Sequence, residues 1–269
     1  MKKKRVIPVM LMKNGFIVQS RNFKRHQNLG SPITAVKRLS EWSSDELIFL
    51  DITKDNQYDL KRDDINFKNL NSFLKIIEEI SKKTFMPIIV GGKIKSLIDI
   101  EERLKVCADK VSINSWAFKN KNLINNAAKE FGSQCIVSSI DVKKIGKEHL
   151  VFIDSGLTNT NLKVENWVKE IQDMGAGEIF LNSIDNDGLG GGYDEVLIEK
   201  IHKIIKVPLI ICGGVGSYQD LEIGLKHKSV DGVAAANFFH HTDQSVYLSK
   251  KYLYEQKMNI RKPQIFELE

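Results

Sequence analysis

Short apolar runs alternate with amphipathic helical stretches along this chain, eight times over, and that alternation restricts its fold more than any other feature. A continuous apolar run reads as a strand buried on both faces, and parallel strands need a crossover helix between them. The runs predict strands near 5–11, 47–51, 87–91, 109–113, 134–141, 178–183, 208–212 and 231–236. The stretches between them predict helices near 32–43, 70–83, 95–105, 120–131, 164–174, 194–205, 217–227 and 243–256. Eight strands, each followed by a helix, point to an α/β fold, a closed (β/α)8 TIM barrel rather than an open sheet. One domain over residues 1–269 accommodates it, with a C-terminal tail from about 257.

The two halves echo one another. Glu46-Leu47-Ile48-Phe49-Leu50-Asp51-Ile52 resembles Glu178-Ile179-Phe180-Leu181-Asn182-Ser183-Ile184. Pro87-Ile88-Ile89-Val90-Gly91-Gly92 resembles Pro208-Leu209-Ile210-Ile211-Cys212-Gly213-Gly214, and the strands ending at Asn114 and Asn237 match in turn. Echoes in the same order imply an internal half-barrel duplication. Two polar stretches, 53–69 and 143–163, follow strands and so belong to the C-terminal face where barrel enzymes work; the second has room for a small hairpin.

Several classes are excluded. No apolar run approaches the roughly 18 residues of a membrane span, and Met1-Lys2-Lys3-Lys4-Arg5 runs into a strand without a secretory h-region, so a cytoplasmic protein is expected. Cys107, Cys135 and Cys212 are far apart and imply neither disulfide nor metal site. Net charge is +6, yet the cations are scattered without an aromatic-and-basic stripe, which argues against nucleic acid and gives a mild attraction for phosphorylated substrates. Nothing in the sequence calls for a cofactor.

The candidate site residues lie at strand ends. Gly91-Gly92 and Gly213-Gly214 end the third and seventh strands, where glycine lets backbone N–H groups approach a phosphate closely. A lone pair would favour no more than a tight strand–loop turn. Two pairs at matching places, with Asn114-Ser115 and Ala236-Asn237 ending the next strands, favour two phosphate pockets. Asp141, at the end of the fifth strand, is placed for acid–base work. Asp51 and Asp185 end strands two and six, and Asp185-Asn186-Asp187-Gly188 reads as turn chemistry or substrate contact alike. At the opposite end, Arg5, Glu46, Lys110 and Glu178 begin strands one, two, four and six. Pointing inward, they would form a ring of two cations and two anions. Spacing alone leaves a structural plug and a gate for a small polar molecule equally open.

Together these residues resemble the HisF family, the cyclase subunit of imidazole glycerol phosphate synthase, over roughly residues 4–256. The segments that carry the likeness are Asp45 to Ile52, Ala108 to Asn114, Phe131-Gly132-Ser133-Gln134, and Asp185-Asn186-Asp187-Gly188 with Gly192-Tyr193-Asp194. The resemblance implies a HisH-like glutaminase on the N-terminal face and ammonia passing through the barrel to a phosphorylated substrate. It makes Arg5, Glu46, Lys110 and Glu178 the ammonia gate, and Asp187, Gly188 and the glycine pairs substrate contacts. It also implies two catalytic aspartates. Asp141 is one; the other falls on Leu11, which can move no proton. A phosphate-site lysine falls on Gln19, and a third glycine after strand three falls on Lys93.

Those departures resemble a divergent branch, the HisF-like proteins of acetamidino-sugar and O-antigen modification (the WbuZ/AglZ type). The expectation is therefore a synthase subunit of a glutamine-dependent amidotransferase complex. It would channel ammonia for amidination of a surface-glycan sugar, with a separate sugar amidotransferase as further partner and a phosphorylated or nucleotide-linked substrate. The alternative is the parent activity, imidazole glycerol phosphate synthesis in histidine biosynthesis, with Asp141 working alone.

Overall fold

Alternation within each strand decides which side chains face the barrel interior and which face the helices. The computed structural model describes residues 2–54, 58, 70 and 72–267. Among them the chain runs β1 (Arg5–Lys13), β2 (Phe16–Arg21), β3 (Arg25–Gly30), α1 (Pro32–Glu41), β4 (Leu47–Asp51), α2 (Phe73–Ser81), β5 (Ile88–Gly91), α3 (Leu97–Lys105), β6 (Lys110–Ile113), α4 (Ser115–Lys119) and α5 (Lys121–Phe131). It continues with β7 (Ile136–Ile145), β8 (Glu148–Ile153), β9 (Thr158–Lys163), α6 (Val164–Asp173), β10 (Glu178–Ser183), α7 (Glu195–His202), β11 (Leu209–Cys212), α8 (Tyr218–Lys226), β12 (Gly232–Ala235) and α9 (Ser245–Glu255).

Eight strands close into a parallel barrel in the order β1-β4-β5-β6-β7-β10-β11-β12, with β12 pairing back onto β1. Inward positions form one apolar cluster: Ile7 and Val9 of β1, Ile48, Ile89, Val137, Phe180, Ile210, Cys212 and Ala234, with Leu11, Leu50 and Ala236 at its upper edge. Outward positions such as Val6, Met10, Leu47 and Phe49 pack with the helices in a second, larger core. Each fully buried Leu, Ile or Phe contributes about 1.5–3 kcal/mol, so the two layers together stabilise the closed sheet.

Two hairpins rise from the C-terminal face. Residues 143–163 form one, with β7 running on past Asp141 to pair with β8, and β8 with β9. Asp141 therefore lies within a strand instead of ending it. The other hairpin, β2–β3, was not expected. Its cause is the turn Asn14-Gly15, where both residues take positive φ (51° and 80°) and send β1 straight back along itself. Most of the polar stretch 53–69 lies outside the described residues.

The half-barrel echo recurs in atomic contacts. The Asp109 carboxylate accepts the Ile88 N–H at 2.8 Å, and Asp231 accepts Leu209 N–H at 3.1 Å. Ser96 and Asp99 form a capping box at the start of α3, as Ser217 and Asp220 do for α8. Gly92 and Gly213 both take positive φ, and a Cβ on either would run into the carbonyl of Asp51 or Ser183 on the neighbouring strand. The tail is anchored: Lys4 N–H donates to Asn259 O at 2.8 Å and Phe266 N–H to Glu41 O at 2.9 Å. At the same end, Lys250 and Asp45 form a buried ion pair at 2.8 Å that ties α9 to the start of β4. No helix among the described residues is long and apolar enough to cross a membrane.

The matched caps give a direct test of the repeat. Ser96→Ala and Ser217→Ala should each lower stability by about 1 kcal/mol in urea unfolding, with additive loss in the double variant. A loss at only one of the two would show that the halves are not energetically equivalent.

Candidate functional site

The lower end of the barrel is closed by four charged side chains at the starts of β1, β4, β6 and β10. Lys110 Nζ lies 2.8 Å from Glu46 Oε1 and 2.6 Å from Glu178 Oε2, while the Arg5 guanidinium bonds the other oxygen of each carboxylate. Every carboxylate thus meets both cations. The two glutamates are almost inaccessible, and Arg5 and Lys110 are partly exposed. Burial works to raise the Glu178 carboxyl, but Arg5 and Lys110 together hold it below the usual range. Burial likewise opposes charge on Arg5 and Lys110, and the two glutamates more than reverse it.

Above the ring the interior is apolar, interrupted at Ser139, whose hydroxyl accepts from Asn114, and at Ser112. The Ser112 hydroxyl is buried and without a hydrogen-bond partner. At the upper end stands Asp141. Its Oδ2 accepts from Asn114 Nδ2 at 2.8 Å and its Oδ1 from Asn182 Nδ2 at 3.4 Å. Burial pushes the Asp141 carboxyl up to about 7; the two amides pull it down, and the nearby Asp187 charge adds to the rise. A carboxyl in that range can both give and take a proton near neutrality. Asn182 was not among the expected site residues, although Glu178 facing inward puts position 182 inward too. Cys212 sits in the same interior layer, its thiol raised by burial and by Asp187.

Leu11 lies at the upper edge of the lumen, with Leu50 as its strand neighbour on one side and Val18 of the hairpin on the other. No carboxylate is supplied from β1. Gln19 lies on β2 and donates to Gln27 across the hairpin at 2.7 Å. Asp187 accepts from Ser20 Oγ at 3.0 Å and from Phe23 N–H at 3.4 Å. Asn237 accepts Ser20 N–H at 3.2 Å and donates back to Ser20 O. Gly188 packs against the same Ser20 carbonyl. These three therefore anchor the β2–β3 hairpin across the C-terminal face, and Ser20 is the residue the sequence reading missed. The second hairpin is held similarly: Asp185 accepts Lys144 N–H at 2.7 Å, and Ser115 Oγ accepts Asp154 N–H at 2.8 Å.

The glycine turns Gly91–Gly92 and Gly213–Gly214 lie on opposite sides of the rim, with Asn114 and Ala236 on the neighbouring strand ends. Lys93 keeps a left-handed φ of 56°, so the turn retains a glycine-like path with a lysine in it. Its ammonium lies 3.6 Å from Asp51 Oδ2, and Tyr58 OH donates to the same oxygen at 3.2 Å. No His/Cys/Asp/Glu cluster suited to a metal occurs among the described residues.

The buried Asp141 has a consequence for stability. Its carboxyl is raised from 3.8 to about 7, so between those values the folded chain binds a proton that the unfolded chain has released. Stability from this group therefore falls as pH rises from about 4 to about 7 and is flat above, a loss on the order of 4 kcal/mol. Asp141→Asn should remove that slope. Its gain in Tm over the parent protein should be near zero at pH 4 and greatest above pH 7, measured by calorimetry; a gain independent of pH would contradict the assignment.

A family profile described as histidine biosynthesis protein matches residues 5–245. The imidazole glycerol phosphate synthase subunit HisF of Natranaerobius thermophilus is 38% identical over 258 residues, covering 96% of this chain and 98% of that one. The subunit of the same name from Clostridium botulinum strain Alaska E43 is 39% identical over 260 residues, with 96% and 98% covered. These relatives, both named as synthase subunits, overturn the expectation of a glycan-amidinating barrel, and the separate sugar amidotransferase falls with that expectation. The chain belongs to the HisF family.

Proposed function

We propose that this chain is the cyclase subunit of an imidazole glycerol phosphate synthase, acting on a doubly phosphorylated precursor with ammonia delivered through the barrel. The observation that carries the reading is the pairing of two ends. A four-charge ring closes one end of an apolar lumen, and a carboxyl poised at about 7 stands at the other. A HisH-like glutaminase on the N-terminal face feeds ammonia past Arg5, Glu46, Lys110 and Glu178. Ammonia, small and uncharged when deprotonated, suits an apolar conduit that repels ions.

At the mouth, Asp141 moves the protons that ring closure and bond cleavage require. Leu11 leaves it without the second carboxylate that the resemblance assigns to the first strand. The substrate's phosphates rest on the backbone N–H groups at Gly91–Gly92 with Asn114 and Ser115, and at Gly213–Gly214 with Ala236 and Asn237. Lys93 adds a cation beside the first of these. The two hairpins cover the reacting atoms, and Asp187 and Gly188 hold the first hairpin in place.

Two experiments test this. The gene should restore growth without histidine to a strain lacking its own cyclase subunit, and Asp141→Asn should abolish it, with turnover lower by about 10²–10⁴. Failure of the soluble parent protein to complement would refute the reading. Narrowing the lumen with Ser112→Leu should lower glutamine-driven turnover about tenfold or more, a barrier of about 1.4 kcal/mol, while turnover on added ammonium persists. Equal loss in both would argue against passage through the barrel.

A further inference from the structure

A cavity of about 260 Å³ lies outside the barrel wall, between α2 and α3, and of its lining the chemistry above uses only Lys93. Its walls are the first turn of α2, Lys93 and Lys95 after β5, and Arg103 of α3. Arg103 is the informative residue. It is only 6% exposed, on a helix face that elsewhere carries apolar side chains. Nη1 donates to the Asp99 carbonyl at 2.7 Å and Nη2 to the Gly92 carbonyl at 2.9 Å, while the Nε–H is buried without an acceptor. No carboxylate forms an ion pair with it among the described residues. Asp99, Glu102 and Asp51 act on it from beyond ion-pair distance and offset only part of the cost of its burial.

The opposite wall presents matching donors. α2 spans nine residues, its N-cap Ser72 makes no side-chain cap, and its first turn holds no acidic residue. Phe73 and Leu74 line the cavity, so the positive end of the helix and its unbonded N–H groups meet the same space. Lys95 is exposed at the rim. The two acids on the lining, Asp99 and Glu102, offset this set only in part. The Asp99 Oδ2 is occupied by the N–H groups of Lys95 and Ser96 and the Ser96 hydroxyl, and Glu102 is exposed.

We propose that this cavity is a peripheral site for a phosphoryl anion, held by Arg103, Lys95 and the first-turn amides of α2. A forked guanidinium facing a helix N-terminus suits a tetrahedral oxyanion with several acceptor atoms. The site is distinct from the glycine turns at the mouth yet joined to one of them. Arg103 holds the Gly92 carbonyl, and Gly92 packs directly on Asp51, so occupancy bears on the same turn from its outer side. The inference stands on this geometry and is independent of the proposed synthase activity.

Nuclear magnetic resonance of the full chain resolves the site. Inorganic phosphate is titrated in at constant ionic strength, with sodium chloride as the control, and the Phe73 and Leu74 amides and the Arg103 Nε–H are followed. Saturable shifts of these three signals are expected with phosphate and not with chloride. Lys95→Gln should weaken the apparent affinity several-fold and Arg103→Met should abolish the shifts of the Phe73 and Leu74 amides. Because Lys95 is exposed, its variant folds regardless of how Arg103→Met behaves. Shifts that never saturate, that chloride reproduces, or that Lys95→Gln leaves unchanged would overturn the proposal, as would saturation confined to the amides near Gly92 and Gly213.

Discussion

Four charges closed into one ring, two of them buried carboxylates, constrain this molecule more tightly than any apolar contact. Glu46 and Glu178 come from opposite halves of the chain, and each needs both Arg5 and Lys110 to be tolerable away from water. The ring is satisfied only when β1, β4, β6 and β10 stand in one register around a closed barrel. A slip of one residue would turn a charge outward among the helices and an apolar side chain inward. The closure of the sheet and the neutrality of its lower end are therefore one condition. An apolar lumen above the ring follows, because the same alternation places Ile7, Ile48, Phe180 and their neighbours inside.

The upper end is built on the opposite principle. Asp141 is buried with amides rather than a cation for company, so its carboxyl is divided between neutral and ionised forms near pH 7. Glu178, equally buried but flanked by two cations, stays ionised. Two carboxyls in one barrel thus carry different protonation states because their neighbours differ. The hairpins contribute by burying this layer. Ser20 and Asn237 exchange two hydrogen bonds, and Asp187 secures Ser20 from the other side, which fixes the first hairpin over β10 and β12.

Much of this was legible in the sequence. β4 and β10 occupy the expected spans, and the other barrel strands are displaced only at their ends, because fully buried strands write continuous apolar runs. The ring could be read from parity: Arg5, Glu46, Lys110 and Glu178 are all at strand starts and share the inward phase. The β2–β3 hairpin could not be read the same way. Its outer strand, Arg25 to Gly30, is polar and exposed along most of its length, so it carries no alternation, and only Asn14-Gly15 announced the turn. The functional expectation failed for a related reason. It rested on Leu11, Gln19 and Lys93, three positions read as departures from a resemblance, whereas the similarity to named synthase subunits spreads over the whole barrel.

What the sequence determined by itself was the barrel, the ring and the identity of the acid at the mouth, since each follows from periodicity within single strands and their starts. What only the tertiary structure decided was the partnership of those residues. Asn182 reaches Asp141 from β10, Ser20 reaches Asp187 and Asn237 from β2, and Arg103 turns from its helix to the Gly92 carbonyl. Each of these contacts joins residues from different elements. Strand alternation records which way a side chain points, and only the closed fold determines what it meets there.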